Sequence, residues 1–162
     1  FRESLIALAV AFLFMGLVIF IYFRTFIPSA AVILAAFSDM VVSLAVINLL
    51  GIKVGTAGIA AFLMLIGYSV DTDILLTVRV LKRKEGTVMD RIISSFKTGM
   101  TMTVTAIISV LVALLVTQSD VIRQIMLILL IGLFADILNT WIQNVGILRI
   151  YVERKAKKGI HI

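Results

Sequence analysis

Cysteine is missing from all 162 residues, so disulfides and thiolate metal sites are excluded and no redox compartment can be read. Histidine occurs once, at His161 near the end of the chain, where it is expected to be inert. No metal site is therefore expected. None of the patterns GxxxxGK[ST], HExxH or GxSxG occurs, so nucleotide hydrolysis and the familiar hydrolase chemistries have no support. Neither a catalytic residue nor a cofactor is expected. The single proline, Pro28, suits the first turn of a helix, where its missing N–H costs nothing. Acids are scarce, nine against fifteen Lys and Arg, giving a formal net charge of +6.

Apolar residues are abundant instead. They make up 62% of the chain, and mean hydropathy is +1.18. Runs of about 20 apolar residues recur, which soluble domains do not carry. The composition predicts an all-α, polytopic membrane helix bundle. Breaks between the runs predict five transmembrane helices, over 5–23, 28–50, 56–78, 92–116 and 122–151. Each is long enough to cross about 30 Å of hydrocarbon at about 1.5 Å per residue.

The basic residues are read as anchors beside the spans, not as a nucleic-acid surface. Twelve of the fifteen fall on one side: Arg24, Arg79, Lys82, Arg83, Lys84, Arg91, Lys97, Arg149, Arg154, Lys155, Lys157 and Lys158. Arg2, Lys53 and Arg123 fall on the other. The first side is predicted to be cytoplasmic, in a cell membrane. This makes Phe1 exoplasmic and the basic tail over 152–162 cytoplasmic. The connector over 81–96 is predicted to hold a short amphipathic helix on the membrane surface. Thr87 would cap it, Asp90 would lie at N3, and Val88, Met89, Ile92, Ile93 and Phe96 would share one face.

Four acids lie inside the predicted spans: Asp39, Asp71, Asp73 and Asp136. A central Asp costs about 2.5–3.5 kcal/mol on insertion scales, so these side chains are expected to avoid lipid. Helical spacing supports a shared polar seam. Gly132, Asp136, Asn139, Thr140 and Gln143 fall on one face of the last span. Lys97, Thr101, Thr105 and Ser109 recur every four residues on the fourth, and Ala35, Ala36, Asp39 and Ser43 form a small, polar stripe on the second. Asp71 and Asp73 are about 200° apart around a helix and cannot share a partner. Depth predicts that Asp71 faces the seam and pairs with Lys97. Asp73 is predicted to face Arg79 or water. A carboxyl that moves between dry and wet surroundings can bind and release a proton. The proton-coupling candidates are therefore Asp71, Lys97, Asp39 and Asp136. Asp73, Thr101, Thr105, Asn139 and Gln143 form a secondary set.

The run GYSVDTDILLTVRVLKR, residues 67–83, resembles the signature of the SecF protein-export family, with Gly67, Tyr68, Ser69 and Arg79 as its marks. FSDMVVS (37–43) and FKTGMTMTVTA (96–106) resemble that family's flanking helices. The likeness covers nearly the whole chain. It departs from the bacterial pattern in carrying acids at Asp71 and Asp73 rather than at the Thr72 position, Lys97 for an Arg, and Asp136 for a small residue. These changes look like the archaeal branch.

The resemblance implies an RND-like half bundle in which a further helix and an exoplasmic domain precede Phe1. It implies SecD, a SecY-type Sec translocon and the lipid bilayer as partners, and a translocating preprotein met through that domain. It implies protein translocation aided by the proton-motive force. Two other readings stay open: an RND-type exporter of lipid or small molecules, and a non-transducing structural subunit of the translocon.

Overall fold

A computed structural model describes residues 2–83 and 85–158, the side chain of Ser4 excepted. The expectations for Phe1, Lys84 and residues 159–162 lie outside the described residues.

The chain forms α1 (Arg2–Phe23), α2 (Phe26–Leu49), α3 (Thr56–Lys82), α4 (Val88–Val116) and α5 (Asp120–Leu138). A π-helical segment (Asn139–Asn144) then leads without a break into α6 (Val145–Lys157). Five stretches are long and apolar enough to cross a membrane, with α5, the π segment and α6 counting as one. No strand occurs among the described residues. The protein is an all-α, multi-pass membrane protein.

Backbone geometry explains the helix ends. Arg24 turns into the left-handed region (φ 52°) after α1, and Gly51 (φ 68°) does so after α2. Gly86 (φ 76°) precedes the start of α4. There the Asp90 N–H donates to Thr87 Oγ1 at 3.2 Å and the Thr87 N–H to Asp90 Oδ2 at 2.8 Å. This is the reciprocal cap expected for Thr87. Among the described residues of the connector there is no separate surface helix. From that cap, α4 runs on through Lys97 to Val116. Nothing between Asp90 and Lys97 interrupts it, and Ile92, Ser95, Gly99 and Thr103 continue one buried face.

Helices α2, α3 and α5 pack together at the centre. α1 lies against α2 and α3, and α4 against α3 and α5. The larger apolar cluster joins Val32, Ala36 and Ile47 of α2 to Ala61 and Leu65 of α3 and Ile128 of α5. A smaller one joins Leu76 and Val80 of α3 to Ile92, Leu148 and Val152. On α3, and along α5 to α6, the buried polar residues lie between these two clusters. Glycines set the closest approaches. A Cβ on Gly132 would run into the buried Leu65 side chain, and one on Gly99 into the Trp141 ring.

Candidate functional site

Seven polar side chains from α2, α3, α5 and the π segment meet in the interior. Asp39, Ser69, Asp73, Asp136, Thr140 and Asn144 are buried, and Asn139 is half-buried. Ser69 and Asp73 are one helical turn apart on the inner face of α3. Asp136 and Thr140 are likewise one turn apart.

The hydrogen bonds divide the carboxyls into two groups. Asp39 Oδ1 accepts from Asn139 Nδ2 at 2.7 Å, and Asp39 Oδ2 accepts from the Ser69 hydroxyl. Asp73 Oδ1 accepts from Asn144 Nδ2 at 2.7 Å. The Thr140 hydroxyl lies 3.0 Å from Asp73 Oδ1 and 3.0 Å from Asp136 Oδ1. A threonine hydroxyl has one proton to donate. If it goes to Asp73, the contact with Asp136 needs a proton on Asp136, and the reverse. Among the described residues no group donates to Asp73 Oδ2 or Asp136 Oδ2. Among the described residues no Lys or Arg forms an ion pair with any of the three carboxyls; the ion pair found there is Arg149–Glu153, on the surface. A buried charge without an ionic partner is costly, so these carboxyls depend on the hydroxyl and amide donors around them.

The π segment decides which residues reach this site. A π turn adds a residue, so Asn139 and Asn144, five apart, both face inward. Asn144 continues the i, i+4, i+8 series of Asp136 and Thr140, although the expectation for this face named Gln143 instead. Gln143 is half-buried and makes no hydrogen bond among the described residues.

The structure reverses the expected orientations of the two α3 acids. Asp73 is fully buried in the seam, while Asp71 points outward and is exposed. The 200° argument holds, but depth does not determine direction. Direction follows from the i, i+4 series Ala61, Leu65, Ser69 and Asp73, all buried on one face. Lys97 is exposed as well, and it forms no ion pair with Asp71 among the described residues. Thr101, Thr105 and Ser109 are exposed, and each hydroxyl turns back to the carbonyl four residues earlier. The α4 stripe is thus real but faces out of this bundle.

The Gly67-Tyr68-Ser69 run addresses three directions, because successive helix residues lie about 100° apart. Gly67 faces outward. Tyr68 donates to Thr103 Oγ1 on α4 at 3.1 Å, and Ser69 donates to Asp39 on α2. Arg79 is no seam residue. Its Nη1 ties α3 to α4 through the Ser94 carbonyl at 2.9 Å and Thr98 Oγ1 at 2.8 Å.

Comparison with known proteins agrees with these marks. Residues 1–154 match the family described as protein export membrane protein SecD/SecF, C-terminal. The SecF protein-export membrane protein of Methanothermobacter thermautotrophicus is 51% identical over 155 residues, covering 93% of this chain and 54% of its own length. Those of Thermococcus gammatolerans and Methanocaldococcus jannaschii are each 46% identical, covering 99% and 98% of this chain and 51% and 58% of their own. The chain thus spans about half the length of the curated relatives it matches. The match spans every helix that builds the seam, and the chain belongs to the SecD/SecF family of protein-export membrane proteins.

Proposed function

We propose that this chain is the membrane bundle of a SecF subunit that aids protein translocation with SecD and a SecY-type Sec translocon, using the proton-motive force. The observation that carries the proton reading is the Thr140 hydroxyl, equidistant from two buried carboxyls that it cannot both serve. In this reading Asp73, Asp136 and Asp39 together store a proton, and Thr140 passes it between Asp73 and Asp136. Ser69, Asn139 and Asn144 hold the carboxyls in place. The driving force available is about 2.3 kcal/mol per charge per 100 mV. No residue is assigned a catalytic role.

A second observation supports the SecD partnership. Gly67 and Asp71 on α3 are exposed, and so are Lys97, Thr101 and Thr105 on α4, so polar residues point outward from two membrane spans. An Asp facing lipid at mid-span costs about 2.5–3.5 kcal/mol, so this outward polarity suits a polar partner helix rather than acyl chains. SecD, the other half of an RND-like pair, is the partner proposed for it. The excess of basic residues puts Arg24, Arg79 and the α6 end on the cytoplasmic side. A first helix and an exoplasmic domain preceding Phe1 complete the proposed subunit.

Export of a preprotein into inverted membrane vesicles, with and without a proton gradient, tests both parts. The gradient is expected to stimulate the wild type. Asp73→Asn and Asp136→Asn should abolish the stimulation while SecD still co-purifies. Asp71→Lys should release SecD. If Asp73→Asn and Asp136→Asn both keep gradient-dependent stimulation, the proton seam is wrong. A wild type indifferent to the gradient favours a non-transducing structural subunit.

A further inference from the structure

Away from the seam, α6 meets the start of α2 in a cleft of about 590 Å³. That volume lies within the range of small-molecule sites, about 300–1,000 Å³. One continuous stripe of α6 lines it. Ile147, Ile150 and Tyr151 form the upper part, opposite Ile27 of α2, and Arg154, Lys155 and Lys158 form the lower part. These positions follow i, i+3, i+4, i+7, i+8 and i+11, a single helix face. The adjoining side of α6 is buried, with Leu148 and Val152 in the smaller apolar cluster and Tyr151 packed against it.

The stripe changes from apolar to cationic over about 16 Å of helix, at about 1.5 Å per residue. Among the described residues no carboxylate lines the cleft. The single acid on α6, Glu153, pairs with Arg149 at 2.9 Å, and the first turn of α2 carries no acid. Lys155 Nζ lies 6.0 Å from the centroid of the Tyr151 ring, at the point where the apolar part ends. Ordinary flanking anchors need only reach the headgroup layer. Here three cations cap an apolar groove that runs along the same helix face.

We infer that this cleft binds an anionic phospholipid, with a hydrocarbon chain along Ile27, Ile147 and Ile150 and the phosphate on Arg154, Lys155 and Lys158. Charge complementarity selects the occupant. A zwitterionic lipid would leave the three cations uncompensated, and a soluble phosphate would leave the groove empty.

The test uses the full-length protein purified with its partners in mild detergent. Native mass spectrometry follows retention of phosphatidylglycerol against phosphatidylcholine. The wild type is expected to retain phosphatidylglycerol preferentially. The triple variant Arg154→Gln, Lys155→Gln, Lys158→Gln should lower that retention roughly tenfold or more. The charge-keeping variant Arg154→Lys, Lys155→Arg, Lys158→Arg should restore it. Ile147→Trp, which fills the groove and leaves every charge, should lower it too. A photo-reactive benzophenone side chain introduced at Ile150 should form its main adduct with lipid in native membranes. Circular dichroism checks that each variant remains helical. Equal retention of the two lipids overturns the proposal. So does a main adduct with another polypeptide. An Ile147→Trp protein that retains phosphatidylglycerol fully also overturns it, since that outcome means diffuse surface attraction.

Discussion

Thr140 has one hydroxyl proton and two carboxyl neighbours, each at 3.0 Å. Thr140→Val, close in shape but without the hydroxyl, should uncouple translocation from the proton gradient while SecD still co-purifies. Gradient-dependent export in vesicles reads this directly. Ser69 poses a simpler test. Its hydroxyl donates to Asp39 in a fully buried place. Ser69→Ala removes that donor and should cost about 1–3 kcal/mol, seen as a lower melting temperature in detergent. Asp71→Asn should leave that temperature unchanged, because Asp71 is exposed and has no partner among the described residues. The presence of an acid in a span is legible from sequence. Which of two neighbouring acids is dry depends on the helix's rotation, which only packing against α2 and α5 sets.

The glycines on α4 and α5 decide how closely helices approach, and the π segment decides how the last span is phased. Gly132→Ala drives a methyl into Leu65, which has no room to yield at 0% exposure. Gly99→Ala drives one into the rigid Trp141 ring. Each should cost about 1–3 kcal/mol by thermal unfolding, the range for overpacking. Gly67 gives the contrast, since nothing lies within 4 Å of the Cβ it lacks. Gly67→Ala should leave this bundle's stability the same or slightly higher, by up to about 1 kcal/mol. Helix positions follow from the apolar runs and the Thr87 cap, both local in sequence. The π segment does not, because its extra residue is selected by inward contacts of Asn139 and Asn144 with acids about 100 and 71 residues away.

Across the whole molecule, polarity is distributed in two layers. The inner one, Asp39 with Asp73 and Asp136, is buried; the outer one, made of Asp71, Lys97 and the α4 hydroxyls, is exposed. Gly67→Leu should therefore weaken co-purification with SecD several-fold, even though it leaves the isolated bundle unstrained, and a pull-down against the wild type measures this. Cysteine pairs joining the Gly67 position to SecD should cross-link, while pairs from Leu65, on the buried face, should not. Class, span count and family follow from the chain alone, since apolar run length is set by bilayer thickness and the Gly67-Tyr68-Ser69 run is contiguous. Tertiary structure decided the rest: that α4 starts at Thr87 as one helix, that Asp73 rather than Asp71 enters the seam, and that Asn144 joins it. A strip of helix records which residues share a face. It does not record which face meets the neighbouring helices, because that rests on contacts between residues far apart in the chain.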